Sequence, residues 1–132
     1  MTSTPSNRIV LIDDEPGVLK ALTLLLQAMG CQVMAFAAPQ EALTYLKAGI
    51  DADLILSDQR MPGMTGSELF SMLRASAVRT PFILMSGHAD QSDMGQLLES
   101  PNTAFLSKPF TPTSLQAAIN NVLSSNKAAN AD

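Results

Sequence analysis

Asp58 stands at the end of an apolar run, Leu54-Ile55-Leu56, and shortly before Met61-Pro62-Gly63-Met64-Thr65-Gly66, where a Pro and two Gly stop any regular element. A carboxylate so placed has three uses: metal ligand, nucleophile or turn residue. Other residues narrow the choice. Asp13 and Asp14 follow the apolar run Ile9 to Ile12, Ser86 follows Phe82 to Met85, and Lys108 comes just after Ala104-Phe105-Leu106. Each polar residue closes an apolar run of strand length. In open α/β sheets ligands bind where the strands end, so three carboxylates, a hydroxyl and an ammonium are expected at one rim. Three carboxylates repel one another, and Lys108 supplies one positive charge. A hard divalent cation with oxygen ligands, magnesium first among them, would supply the remainder. The chemistry implied is phosphoryl transfer to a carboxylate, with metal, lysine and hydroxyl stabilising charge on the transferring oxygens.

The elements that must position these groups alternate along the chain. Apolar runs at Ile9 to Ile12, Val33 to Phe36, Leu54 to Leu56, Phe82 to Met85 and Ala104 to Leu106 read as strands. The first and fourth are apolar throughout, as parallel strands covered on both faces must be. Val18, Leu22, Leu25 and Met29 recur at the spacing of one buried helix face, and Gly30 follows as a stop. A short second helix opens near Pro39 and closes at Gly49. Thr65-Gly66-Ser67-Glu68 has the form of a capping box, starting a third helix that buries Leu69, Phe70 and Leu73. Met94, Leu97 and Leu98 suggest a fourth helix, weakened by Gly95. Thr111-Pro112 opens the last, with Leu115, Ala118, Ile119, Val122 and Leu123 as its apolar face. Five βα units imply a parallel sheet with helices on both faces.

Size and composition set the bounds. At 132 residues, 46% hydrophobic and 15% charged, the chain is one packed domain. A net charge of -4 disfavours direct nucleic-acid binding, which needs clustered Lys and Arg. The single cysteine, Cys31, excludes an internal disulfide and a cysteine-based zinc site, and fits a reducing cytoplasm. No apolar stretch approaches the ~18 residues of a membrane span, and no signal-peptide pattern precedes the first strand. Ser86, His88 and Asp90 lack the nucleophile elbow of a hydrolase triad, and no Gly-rich nucleotide-binding motif is present.

Taken singly, Asp13-Asp14 is a helix start, Ser86-Gly87 a turn, Lys108 a loop lysine and Phe105 a core residue. Taken together and in order, Asp13-Asp14, Asp58, Met61-Pro62-Gly63 with Gly66, Ser86-Gly87 and Lys108-Pro109-Phe110 resemble the receiver domain of two-component response regulators. The resemblance runs from about Arg8 to Leu123 and implies a flavodoxin-like, doubly wound five-stranded parallel sheet of order 2-1-3-4-5 with five helices. Residues 1–7 are then a disordered N-terminus, 8–123 the receiver domain, and 124–132 a tail or the start of a linker. By this resemblance Asp58 is the phosphoacceptor and also a metal ligand, Asp14 a direct Mg²⁺ ligand, Asp13 one acting largely through water, and the Arg60 backbone carbonyl a main-chain ligand. Ser86 and Lys108 would hold phosphoryl oxygens. Ser86 and Phe105 would form the switch, remodelling the surface of the fourth helix, fifth strand and fifth helix. Phe105 lacks a hydroxyl, so its switching would be steric. Arg60 and His88, two residues beyond Asp58 and Ser86, would flank the path of attacking water and set the phosphorylated lifetime.

The implied partners are a sensor histidine kinase or phosphotransfer protein and a downstream effector domain or protein, with no membrane contact. After Arg79 the only basic residues are Lys108 and Lys127, so a charge-paired dimer face on the last two helices is not expected. Two rivals share parts of the pattern. An aspartate-nucleophile phosphatase uses a strand-end Asp, a hydroxyl, a Lys and magnesium, but usually places a second acid where Arg60 stands. A flavin carrier shares the topology, but the chain has few aromatics and a carboxylate-lined rim.

Overall fold

Five parallel strands form the centre of the computed structural model, which describes residues 7–87 and 102–130. The elements are β1 (Arg8–Ile12), α1 (Pro16–Ala28), β2 (Gln32–Phe36), α2 (Pro39–Lys47), β3 (Leu54–Asp58), α3 (Gly66–Ala75), β4 (Phe82–Ser86), β5 (Thr103–Ser107) and α4 (Pro112–Asn130). The sheet order is β2-β1-β3-β4-β5, as expected. The fourth helix expected from Met94, Leu97 and Leu98 lies outside the described residues, which contain four helices. Among the described residues no helix is long and apolar enough to cross a membrane.

The uninterrupted apolar runs follow from strand geometry. Successive side chains point to opposite faces, and here both faces are covered. Val10, Ile12, Ile55, Phe82 and Leu84 pack with Leu43 and Leu46 of α2 and Leu69, Phe70 and Leu73 of α3. Ile9, Leu11, Leu54, Leu56, Ile83 and Met85 pack with Leu22 and Leu26 of α1 and Leu115, Ile119 and Val122 of α4. Edge strand β2, by contrast, has no fully buried residue.

Local signals start and stop the helices. Proline occupies the first turn of α1 and α2, where its missing N–H costs nothing. The Thr65 capping box is complete: the Glu68 N–H donates to Thr65 Oγ1 at 3.1 Å and the Thr65 N–H to Glu68 Oε1 at 2.8 Å. Gly30 ends α1 with φ 90°, a conformation a side chain would strain.

The structure departs from the sequence reading in two places. On α1 the fully buried residue is Leu26, while Leu25 is only partly buried. The helix sets Leu22 and Leu26, one turn apart, against the sheet, and Val18, Leu25 and Met29 flank them. At the other end, α4 continues to Asn130, into the stretch expected as a tail or the start of a linker. No Gly or Pro interrupts Ser124 to Asn130 and two alanines favour the helix, so nothing local stops it.

The burial difference on α1 is measurable. Leu26→Ala should cost about 2–5 kcal/mol in urea unfolding, and Leu25→Ala clearly less. Equal losses would contradict the packing described.

Candidate functional site

The ladder register brings the polar residues together. Ile12 pairs with Ser57, so the next residues, Asp13 and Asp58, come level on neighbouring strands. Asp13 continues the side of the sheet occupied by Ile9 and Leu11, and Asp58 that of Leu54 and Leu56. Two acids one strand spacing apart, about 4.8 Å, therefore face the same way. On β5, Leu106 lies on that side and Lys108 is two residues further. Lys108 Nζ bonds Asp58 Oδ1 at 2.6 Å. The Lys108 N–H donates to the Ser86 carbonyl at 2.9 Å, tying the lysine's backbone to the end of β4. The Lys108–Pro109 peptide is cis.

Carboxylate oxygens of Asp13, Asp14 and Asp58 lie within 4.8 Å of one another. Asp13 and Asp58 are buried and Asp14 is partly buried. Asp13 Oδ1 accepts the Glu15 N–H at 3.0 Å, but its buried Oδ2 has no hydrogen-bond partner among the described residues. Burial raises the Asp13 pKa most; the nearby Asp58 and Asp14 charges add to this, while the Glu15 N–H and Lys108 oppose it. A buried, unpartnered oxygen beside two further carboxylates is what a hard cation with oxygen ligands would satisfy. The donor set fits a metal ion, which would neutralise charge that Lys108 alone cannot.

Ser86 ends β4, buried, with its hydroxyl donating to the Gly87 carbonyl at 3.1 Å. Phe105 is partly buried at the centre of β5, level with Leu84, and packs against the cluster on the α2 and α3 side. It therefore lies on the face opposite the carboxylates. Arg60 is exposed in the loop after β3. His88 lies outside the described residues.

Several supporting groups escaped the sequence reading. Ser57 Oγ donates to the Asp58 carbonyl at 2.9 Å within the core. Gln59 is buried and its side chain bonds Ser67 at the start of α3. Gly66 does more than break the loop: a Cβ there would lie 2.5 Å from the Asp58 carbonyl oxygen and collide with Leu84. The capping box hinted that α3 starts here, but no sequence pattern shows which groups it leans on.

A doubly wound parallel sheet with a carboxylate cluster and an ion-paired lysine at its carboxyl rim defines the class, and sequence comparison gives the family. The response regulator receiver domain family matches residues 9–120, and the chain belongs to it. It is 38% identical over 110 residues to the C4-dicarboxylate transport transcriptional regulatory protein DctD of Rhizobium meliloti, covering 83% of this chain and 23% of that protein. It is 32% identical to the transcriptional regulatory protein FixJ of Bradyrhizobium diazoefficiens, covering 91% of this chain and 58% of FixJ. The chain thus spans only part of these longer relatives. Among solved structures, a response regulator receiver domain protein from Clostridium thermocellum superposes with a TM-score of 0.84 at 26% identity, covering 93% of this chain and 98% of that one.

The raised Asp13 pKa fixes a sign. Its folded-state proton is held more tightly than the unfolded one, so this carboxyl adds stability below its unfolded pKa and loses it as pH rises through the folded value. In metal-free protein, Asp13→Asn should therefore raise Tm at pH 7, with the gain shrinking as pH falls towards about 4. A divalent cation should stabilise the native chain more than the variant. A variant less stable than the native chain in EDTA at pH 7 would contradict this.

Proposed function

We propose that this receiver domain is a signalling switch operated by phosphorylation of Asp58 in the presence of Mg²⁺. The observation that carries the reading is the cluster of Asp13, Asp14 and Asp58, the first and last of them buried, with Lys108 bonded to Asp58 at 2.6 Å. An Asp58 oxygen attacks phosphorus, a P–O bond forms, and the bond to the donor breaks. For a phosphohistidine donor that is a P–N bond, and the imidazole leaves carrying its proton. Lys108 orients the carboxylate beforehand and then transfers its ion pair to a phosphoryl oxygen. The Ser86 hydroxyl turns from the Gly87 carbonyl to donate to another. Bound Mg²⁺ supplies charge neutralisation on the phosphoryl oxygens. Asp14, Asp58 and the Arg60 carbonyl would hold the ion, with Asp13 acting largely through water.

The donor is a histidine kinase or phosphotransfer protein. A groove of about 700 Å³ beside Lys108, lined by Val18, Ala21, Leu22, Pro109 and Phe110, supports this, since it offers a donor an apolar seat next to the carboxylate. Output runs through Ser86 and the steric movement of Phe105 to a partner or effector domain. The reading includes no charge-paired dimer. The phosphatase alternative has nothing to favour it: Arg60 occupies the place of that class's general acid.

Acetyl phosphate with Mg²⁺ should label the native chain to about one phosphoryl group per molecule. Asp58→Asn should remove the label while keeping the fold by circular dichroism. Label persisting on the variant would refute the acceptor assignment.

Arg60 and His88 set how long the phosphoryl group stays. Arg60→Ala and His88→Ala should each change the dephosphorylation rate several-fold, roughly 1 kcal/mol in the barrier. Unchanged rates in both variants would discard this role.

A further inference from the structure

Gln59 lies between the proposed phosphoacceptor and Arg60, yet its side chain is only 2% exposed. Its amide oxygen accepts the Ser67 backbone N–H at 2.8 Å, and its amide nitrogen donates to Ser67 Oγ at 2.9 Å. Its main chain is held as firmly. The Gln59 N–H donates to the Met85 carbonyl at 3.0 Å, and the Gln59 carbonyl accepts the Gly66 N–H at 3.0 Å.

These bonds complete the start of α3. A helix leaves its first amides without intrahelical partners. Here Gly66 N–H goes to the Gln59 carbonyl, Ser67 N–H to the Gln59 side chain, and Glu68 N–H to Thr65 Oγ1. Two of the three caps come from a single residue eight positions from Ser67 in the chain. A cap alone could come from any loop residue. Supplied from position 59, it clamps the main chain between the Asp58 carboxylate and the Arg60 carbonyl, with Ser57 Oγ holding the Asp58 carbonyl from the other side.

We propose that Gln59 is a positioning residue for the cation, holding the Asp58 to Arg60 backbone so that a side-chain and a main-chain oxygen converge on one ion. This rests on the reading of Asp58 and the Arg60 carbonyl as ligands. Groups that orient metal ligands typically contribute about 10- to 100-fold in affinity. Gln59→Met keeps the length and burial of the side chain but removes both amide bonds.

The test is a Mg²⁺ titration of ¹⁵N-labelled full chain followed by amide shifts, with unfolding curves recorded in parallel. Gln59→Met should weaken Mg²⁺ binding about 10-fold, and Ser67→Ala, which loses one hydroxyl, by a smaller factor in the same direction. Ile119→Val lowers stability through the core under α4, outside the Gln59–Ser67 bonds, and should leave Mg²⁺ affinity unchanged. If Gln59→Met does not fold, Ser67→Ala decides. Native affinity in the clamp variants, or equal weakening in Ile119→Val, overturns the proposal. A native chain that binds no Mg²⁺ overturns the cation reading itself, and this role with it. Binding that Asp58→Asn weakens, alongside unaltered clamp variants, overturns only the role of Gln59.

Discussion

Like charges held close together are the constraint on which this fold depends. Asp13, Asp14 and Asp58 are gathered within 4.8 Å, with Asp13 and Asp58 almost wholly shielded from water. Left to itself such a cluster would open, because burial and mutual repulsion both disfavour the charged forms. It stays closed because its members stand on or beside the most buried strands of the sheet. Every residue of β3 and β4 is buried, and so is each residue of β1 after Arg8. The hydrophobic core thus holds the acids where electrostatics alone would not, and Lys108 returns part of the cost through its contact with Asp58.

The same constraint explains the division of labour between the two faces. Asp13, Asp58 and Lys108 continue the side covered by α1 and α4, whereas Phe105 belongs to the side covered by α2 and α3. In the proposed switch, a signal passing from the carboxylates to Phe105 would cross the sheet. Ser86 is suited to that, because it continues the Phe82 and Leu84 side while sitting at the carboxylate rim. The β3–α3 loop is a second connection, since Gln59 and Gly66 join the backbone at Asp58 to the first turn of α3.

Much of this was legible in the sequence, for physical reasons. Strands covered on both faces are largely apolar, so a charged residue at the end of such a run announces itself, as Asp13 and Asp58 do. Thr65 and Glu68 announced the start of α3 because reciprocal capping requires those residue types at that spacing. What was not legible depended on tertiary contact. Leu25 and Leu26 are chemically identical, and only the face that α1 turns to the sheet decides which is buried. Gln59 reads as a polar loop residue until Ser67 is seen beside it. The extension of α4 to Asn130 was missed because small polar residues suggest a tail, although none of them prohibits a helix.

The level pairing of β1 with β3 has a consequence for how this chain can vary. Side chains alternate between faces, so inserting or deleting one residue within β1 would turn Asp13 to the opposite side of the sheet while Asp58 stayed in place. The strands therefore act as a reading frame for the site, in which residue identities between the ends can be exchanged for other apolar types but their number cannot. The stretches after α1 and α2 carry no such parity. Changes of length there would leave the rim intact, so the freedom of this sequence to gain or lose residues lies away from the chemistry.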